Sequence, residues 1–114
     1  MDLNLKKTGN DITIYLEGRL DVHLSADIEK EINKLITAEP SCNFVLNLKD
    51  VEYMSSSGLR IFVSTMRILK ESKRKLVLCN MNNAVKKIFE VVELTDMFDI
   101  FNSETEALDF LKKA

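Results

Sequence analysis

The sequence predicts an α/β fold in which a mixed, mostly parallel β-sheet packs against α-helices. Short apolar runs, typical of buried strands, alternate with longer segments whose apolar residues recur at helical spacing. The first two strands follow each other directly, so they form a hairpin that gives the sheet one antiparallel edge. The chain has 114 residues, 46% of them hydrophobic, with Gly 3 and Pro 1. This composition suits one domain over residues 1–114 and argues against long linkers or a turn-rich all-β fold.

The opening of the chain predicts the hairpin. Two segments alternate apolar and polar residues, which is typical of strands with one buried face. Their apolar positions are Leu3, Leu5, Ile12, Ile14 and Leu16. The turn between them covers residues 8–11, Thr-Gly-Asn-Asp, whose residue types favour a tight turn.

A helix and a buried strand follow. Ser25 is predicted to cap the helix, with Asp27 and Glu29 in its first turn, where acids interact favourably with the helix dipole. Pro40 ends the helix because it cannot continue the helical hydrogen bonds. Residues 44–48, Phe-Val-Leu-Asn-Leu, are nearly all apolar and predict a central strand.

The rest of the chain predicts three more helices alternating with two strands. The predicted ranges are 59–69 for the second helix, 76–78 for the next strand, 84–92 for the third helix and 98–101 for the last strand. Cations at residues 70–75 suit the end of the second helix. Asn82 or Asn83 caps the third helix, and Ser103 with Glu106 forms a capping box for the fourth. The element order is therefore β-β-α-β-α-β-α-β-α.

Charge and composition argue against several classes of protein. The net charge of -2 lacks the basic excess of a nucleic-acid-binding domain. No apolar run approaches the roughly 18 residues that a membrane-spanning helix needs, and residues 1–10 do not resemble a signal peptide. Cys42 and Cys79 lie far apart without metal-ligand spacing. We therefore expect a cytoplasmic protein with reduced thiols, no metal and no cofactor.

Three consecutive serines, residues 55–57, followed by Gly58 form the candidate site. They come after the central strand and open the second helix, at the sheet edge where binding residues of parallel sheets gather. The residues alone leave three interpretations open: a helix cap, a nucleophile, or a phosphate acceptor at the positively polarised helix end. A serine hydrolase has little support. The stretch is not G-x-S-x-G, and the single histidine, His23, has no visible third partner.

Three segments around this site carry a family resemblance. Residues 44–59 contain a hydrophobic strand, then Val51, Tyr53 and Met54, and then Ser-Ser-Gly-Leu. Residues 16–21 read Leu-Glu-Gly-Arg-Leu-Asp. Residues 93–101 read Glu-Leu-Thr-Asp-Met-Phe-Asp-Ile-Phe. Together these segments resemble STAS domains, and in particular the bacterial anti-sigma factor antagonists. The family's pattern is a strand ending in Asp-Leu, a valine, then Asp-Ser-Ser/Ala-Gly-Leu, with a Gly-x-Leu-Asp segment beside the serine loop.

The resemblance implies a regulatory binding protein without catalytic activity. In the family, an anti-sigma factor that is also a serine kinase phosphorylates the serine after the Asp, and a PP2C-type phosphatase removes the phosphate. The unphosphorylated antagonist holds the anti-sigma factor and frees the sigma factor for transcription. By position the acceptor here is Ser56, with Ser57 and Ser55 as alternatives. The implied partners are this kinase and phosphatase, with no direct nucleic-acid contact and no membrane insertion.

The resemblance also suggests which residues contact the partner. They are Asp21, Val22, Met54, Ser55, Ser57, Gly58, Leu59 and Arg60. Met54 remains open between the interface and the core. Ser57 is expected to lie closer to the helix cap than Ser56, and Arg60, one helical turn beyond Ser56, is expected to reach a phosphate there.

Two positions depart from the family pattern. Ser55 stands where the family usually has the Asp before the acceptor, and Asn47 stands where the preceding strand usually has Asp. Both changes are expected to remove negative charge near the site. They keep a second interpretation open: a STAS interaction module that is not phosphorylated and that serves another signalling or lipid-transport assembly.

Overall fold

A five-stranded sheet with helices on both faces forms the body of the protein. The structure is a computed structural model that describes residues 2–113, so residues 1 and 114 of the predicted domain lie outside it. The strands are β1 (Asn4–Thr8), β2 (Asp11–Leu20), β3 (Asn43–Met54), β4 (Leu76–Cys79) and β5 (Asp99–Phe101). The helices are α1 (Val22–Ala38), α2 (Ser56–Glu71), α3 (Asn83–Val91) and α4 (Glu104–Lys113), with a 3-10 turn over Thr95–Met97. The predicted element order is confirmed.

The strands lie in the sheet in their chain order, β1-β2-β3-β4-β5. β1 pairs with β2 antiparallel, and the other three pairs are parallel, which confirms the predicted mixed sheet. Thr8 and Asp11 pair across the hairpin, and Gly9 between them has a φ of 59°. Glycine adopts this left-handed conformation at little cost, which explains the tight turn.

Each face of the sheet has its own apolar core. Alternate side chains of the strands, such as Ile14, Leu46 and Leu78, pack with residues of α1, α2 and α3 in the larger core. On the other face, Val45 and Val77 pack with residues of α4. Because both faces are covered, β4 and the first half of β3 are almost entirely apolar.

The first helix begins earlier than the sequence predicts. Asp21 caps α1, and its carboxylate accepts a hydrogen bond from the Leu24 N–H at 2.9 Å. The predicted cap, Ser25, is instead buried inside α1, and the first turn contains no acid, so the placement of Asp27 and Glu29 there was wrong. The helix starts directly after β2 because that strand continues to residue 20.

The central strand is longer than predicted. β3 continues past Leu48 to Met54, and its second half pairs with β2 alone. The pairing with β2 shifts register twice, and each shift gives β3 one more residue than β2. Such bulges break the alternation of buried and exposed side chains. Because β3 extends to Met54, the serine segment follows the strand directly, without an intervening loop.

Two predicted helix starts match the structure. Asn82, one of the two predicted alternatives, caps α3 by accepting a hydrogen bond from the Val85 N–H at 2.9 Å. The Ser103 hydroxyl accepts a hydrogen bond from the Glu106 N–H at 3.2 Å and donates one to the Glu106 carboxylate at 3.1 Å. The predicted pairing of Ser103 with Glu106 at the start of α4 is confirmed, but Glu106 bonds the Ser103 hydroxyl instead of the Ser103 backbone N–H that completes a capping box.

Candidate functional site

Ser55 joins the end of β2 to the start of α2. Its hydroxyl donates a hydrogen bond to the Leu20 carbonyl oxygen at 2.6 Å and accepts one from the Gly58 N–H at 3.3 Å. The Ser55 N–H also donates to the Leu20 carbonyl, at 2.9 Å. Ser55 is the N-cap of α2, so the expectation that Ser57 lies closer to the cap was wrong. The Gly-x-Leu-Asp segment does lie beside the serines, as the resemblance implies.

Gly58 allows α2 to approach the sheet closely. A Cβ atom at this position would lie 2.9 Å from Met54 Cγ and 3.2 Å from Leu20 Cβ. Both distances are shorter than normal van der Waals contacts between carbon atoms. β2 and β3 therefore pack directly against the backbone at Gly58. This close packing fixes the position of the serine segment.

The N-termini of α1 and α2 lie side by side at this edge of the sheet. Leu20 binds the cap of α2, and the next residue, Asp21, is itself the cap of α1. Both helices therefore present their positively polarised ends here. Ser56 is the first residue of α2 and is exposed. The dipole of α2 favours negative charge at this position.

The predicted contact residues divide into surface and core. Asp21, Val22 and Arg60 are exposed, whereas Ser55 and Ser57 are half-buried. Three others are buried: Met54, Gly58 and Leu59. Met54 is only 2% exposed, which decides its open assignment in favour of the core. These three buried residues belong to the core on which the serine segment rests, not to the surface that a partner can contact.

An exposed aromatic residue beside the serines was missed by the sequence reasoning. Tyr53 is 39% exposed, and the guanidinium carbon of Arg19 lies 4.5 Å from the centre of its ring. Arg19 and Tyr53 pair across β2 and β3, next to the pair of Leu20 and Met54. The signal was available: if Met54 faces the core, strand alternation turns Tyr53 outward. Val22, 63% exposed, adds apolar surface at the start of α1.

Arg60 pairs loosely with α1. Its Nη2 lies 3.9 Å from Glu29 Oε1, and its side chain is 68% exposed. An exposed ion pair at this distance contributes little to stability. The guanidinium is therefore not committed to a structural role and stays one helical turn from Ser56.

Asn47 lies away from the serines, contrary to expectation. Its amide donates a hydrogen bond to Glu104 Oε1 at 3.0 Å, and Tyr15 donates to Glu104 Oε2 at 2.9 Å. Glu104 begins α4, which covers the face of the sheet opposite α2. Burial and the hydrogen bond to Glu104 raise the pKa of Tyr15 to about 12. The departure at Asn47 therefore concerns the attachment of α4 rather than the charge near the serines.

The two thiols are free and buried. Burial raises the pKa of both, that of Cys79 to about 12, so both are unreactive at neutral pH. Within residues 2–113, no three His, Cys, Asp or Glu side chains are grouped so as to bind a metal ion. In the same range, no helix combines the length and the apolar character needed to span a membrane.

The fold and the site together define an α/β binding domain that presents a serine segment at a helix N-terminus. The STAS domain family model matches residues 2–107, and the chain belongs to that family. The anti-sigma-B factor antagonist of Bacillus subtilis (strain 168) is 31% identical over 100 residues, which cover 88% of this chain and 90% of that protein.

Solved structures agree with this assignment. The anti-sigma factor antagonist SpoIIAA in its unphosphorylated form is 25% identical, with a TM-score of 0.84 over 99% of this chain and 98% of that chain. The phosphorylated form of SpoIIAA, a Bacillus cell fate determinant, is also 25% identical, with a TM-score of 0.72 over 95% of this chain and 97% of that chain. Like these relatives, the chain is a regulatory binding protein rather than an enzyme.

Proposed function

We propose that this chain is a cytoplasmic anti-sigma factor antagonist that is switched off by phosphorylation of Ser56. In its unphosphorylated state it binds an anti-sigma factor that is also a serine kinase, and so frees a sigma factor for transcription. A PP2C-type phosphatase restores the active state. The observation that carries the proposal is the exposed position of Ser56 at the first residue of α2, beside the start of α1.

The surface around Ser56 suits a protein partner. Val22 and Tyr53 are large and exposed, and Arg19 stacks on the Tyr53 ring. Aromatic and arginine side chains are enriched among the residues that contribute most to protein–protein binding. The exposed Asp21 and Arg60 add one charge of each sign near the rim. The docking surface therefore consists of these five residues and Ser56.

Phosphorylation would change this surface without disturbing the fold. A phosphoserine carries about -1.5 to -2 charges and three acceptor oxygens. At the first position of α2 its charge is favoured by the helix dipole, and the exposed side chain has room for it. A partner fitted to the neutral surface would meet added bulk and an uncompensated charge.

Arg60 is the side chain placed to compensate the phosphate on this chain. It lies four residues after Ser56 on the same helix, and its ion pair within residues 2–113 is the loose contact with Glu29. Arginine and phosphate form charge-assisted hydrogen bonds, which are stronger than neutral ones. We infer that phosphorylation draws Arg60 away from Glu29 and so also changes the charge pattern of the docking surface.

The relatives support the same function. A relative that is 31% identical is an anti-sigma-B factor antagonist, and SpoIIAA has been solved both unphosphorylated and phosphorylated. We therefore propose that this chain also antagonises an anti-sigma factor and that it also exists in unphosphorylated and phosphorylated forms. The phosphate acceptor in this proposal remains Ser56, with Ser57 and Ser55 as the alternatives.

Binding measurements with charge-mimicking variants test the proposal. The affinity of the purified anti-sigma factor from the same organism is measured for the wild type and for Ser56→Asp and Ser56→Ala. We expect Ser56→Ala to bind like the wild type in the absence of ATP. Ser56→Asp should bind at least about tenfold more weakly, a loss of about 1.4 kcal/mol.

Ser41→Asp is the matched control. It adds the same charge at an exposed serine before the start of β3, at the opposite end of that strand from Ser55. It should leave the affinity unchanged. Equal affinities for Ser56→Asp and the wild type would refute the proposed switch.

One observation favours a second candidate, a STAS module that binds its partner without being phosphorylated. Ser55 replaces the acid of the family pattern and is tied to Leu20 as a neutral cap. A kinase that recognises the acid would then not phosphorylate this chain. This candidate predicts tight binding to a signalling or lipid-transport partner that persists in the presence of ATP, whereas the switch predicts release.

A further inference from the structure

A cluster of exposed apolar side chains lies at the end of α3, away from the serine segment. Val91 is 77% exposed, Val92 45% and Met97 44%, and all three fall within residues 91–97. Large apolar side chains that cluster on a surface indicate an interaction site rather than chance exposure. We refer to residues 90–97 as the acidic segment, because they include Glu90, Glu93 and Asp96.

Acids accompany these apolar residues. Glu90, Glu93 and Asp96 are all exposed, and none of them belongs to an ion pair recorded within residues 2–113. The acidic segment therefore combines three carboxylates with exposed apolar groups. Its natural complement is a surface that combines cations with apolar side chains.

Such a surface lies next to it, at the C-terminal end of α2. A groove of about 440 Å³ is lined by Met66, Leu76 and Met97, by the cations Lys70 and Lys73, and by one exposed carboxylate, that of Asp99. Both of these lysines are exposed, and neither forms an ion pair within the described part of the chain. We refer to this groove as the basic groove, because four cations line it.

The other two cations at the basic groove are already used within the chain. Arg74 donates a hydrogen bond to the Glu39 carbonyl oxygen at 2.8 Å, and the Lys75 ammonium lies 5.1 Å from the centre of the Phe110 ring. Lys70 and Lys73 are therefore the cations that remain available for a partner.

We propose that the acidic segment and the basic groove form one self-complementary surface, on which a second copy of this chain binds with two-fold symmetry. Met97 belongs to both halves, so the halves adjoin on one copy. A two-fold axis through such a patch places the acids of each copy against the lysines of the other. The exposed valines then cover the apolar lining of the facing groove.

The charges favour a second copy over an unrelated partner. Acids and lysines lie on neighbouring parts of one copy, yet no ion pair joins them within residues 2–113. A foreign partner would need the same two charge patterns in the matching arrangement, which a second copy has by symmetry. The low net charge of -2 leaves little general repulsion between copies.

This surface is separate from the proposed docking surface. Ser56 begins α2 and Lys70 lies near its end, about 20 Å away along a helix that rises 1.5 Å per residue. A dimer formed in this way leaves both serine segments free for partners. Its presence or absence is therefore independent of the proposed phosphorylation switch.

Charge reversal with rescue tests the proposal. Sedimentation velocity of the wild type over about 10–500 µM at low salt should show the mass rising from monomer to dimer, and about 0.5 M NaCl should weaken the association. The double variants Lys70→Glu/Lys73→Glu and Glu90→Lys/Glu93→Lys should each raise the dissociation constant about tenfold or more. The quadruple variant should restore dimer formation, since it exchanges the signs across the interface.

Lys6→Glu is the matched control, because Lys6 is an exposed lysine on β1, at the opposite edge of the sheet from β5. It should dimerise like the wild type. Circular dichroism shows that each variant is folded, and the rescue itself requires a folded chain. A wild type that stays monomeric over the whole range overturns the proposal, as does a quadruple variant no better than the doubles. Wild-type monomers that bind anionic lipid vesicles through Lys70 and Lys73 would assign the basic groove to a membrane surface instead.

Discussion

The hydroxyl of Ser55 donates a hydrogen bond to the carbonyl oxygen of Leu20 at 2.6 Å, and the same hydroxyl caps α2. A serine serves both purposes because its oxygen donates one hydrogen bond and accepts another. The aspartate usual in the family is ionised and can then only accept hydrogen bonds. It could cap the helix, but its side chain could not donate a hydrogen bond to this carbonyl oxygen. The departure at Ser55 thus exchanges an acid for a neutral link between β2 and α2.

Replacing Ser55 by alanine removes both hydrogen bonds at once. We expect Ser55→Ala to lower the free energy of unfolding by about 1 kcal/mol, the usual cost of losing a serine N-cap. Urea unfolding monitored by circular dichroism measures this loss. Ser57→Ala is the neighbouring control and should change stability by less than about 0.5 kcal/mol. Equal effects of the two substitutions would mean that Ser55 does not hold the segment.

Gly58→Ala tests the close approach of α2 to the sheet. Alanine favours helices, so an unconstrained position would gain stability of about 1 kcal/mol. Here the added Cβ would lie 2.9 Å from Met54 Cγ and 3.3 Å from the Leu20 carbonyl oxygen, so we expect a loss of about 1–3 kcal/mol.

The same contact predicts non-additive stabilities. In a Met54→Ala background one of the clashing groups is gone, so Gly58→Ala should cost less there than in the wild type. A double-mutant cycle measured by urea unfolding gives the difference. Stabilisation by Gly58→Ala in the wild type would contradict the packing described here.

The hydrogen bond from Tyr15 to Glu104 predicts a fall of stability at high pH. Burial and this bond raise the pKa of Tyr15 from 10.0 to about 12. The neutral hydroxyl therefore contributes stability that is fully present below pH 10 and is lost as the pH rises through about 12.

Tyr15→Phe separates this contribution from others. The variant should lose about 1 kcal/mol at pH 7, and its free energy of unfolding should fall less steeply than that of the wild type above pH 10. Tyr53→Phe alters an exposed tyrosine and should follow the wild type. Parallel pH profiles for Tyr15→Phe and the wild type would contradict the assignment.

Arg60→Ala tests the proposed contact with a phosphate on Ser56. An adjacent guanidinium favours the dianion, so it should lower the second pKa of the phosphoserine below its ordinary value of about 6. We expect the phosphorus NMR titration of the phosphorylated Arg60→Ala variant to return to that value, and the rates of phosphorylation and dephosphorylation to change. The stability of the variant should hardly change, because the pair with Glu29 is exposed.

Arg67→Ala, an exposed arginine on the same helix, is the matched control and should leave the titration as in the wild type. If Arg60→Ala leaves both the titration and the rates unchanged, Arg60 has no role at the phosphate.

The sequence predicted the element order and the mixed sheet because these follow from local periodicity. Boundaries were wrong where tertiary pairing decides them. Val51 and Met54 are three residues apart and both buried, because bulges give β3 extra residues relative to β2. The predicted strand ended at Leu48 because the nearly continuous apolar run stops there. Likewise Asp21 and Ser25 are both good caps, and only the continuation of β2 to residue 20 selects the first.

The site was predicted in its location but not in its division of roles. The spacing of apolar residues placed the serines at the start of α2, yet the three hydroxyls look alike in sequence. The carbonyl of Leu20, 35 residues earlier, selects Ser55 as the cap. The same holds for Asn47, whose partner Glu104 is 57 residues away in the chain. Contacts between distant segments carry no local signal.

The most direct test of the proposed switch is to locate the phosphate. The protein is incubated with the kinase-type anti-sigma factor of the same organism and ATP, and intact mass and peptide mapping are recorded for the wild type, Ser56→Ala and Ser57→Ala. The proposed switch predicts a single phosphate on Ser56, present in the wild type and in Ser57→Ala and absent from Ser56→Ala. A phosphate that persists in Ser56→Ala, or a wild type that binds the kinase tightly and stays unmodified, would contradict it.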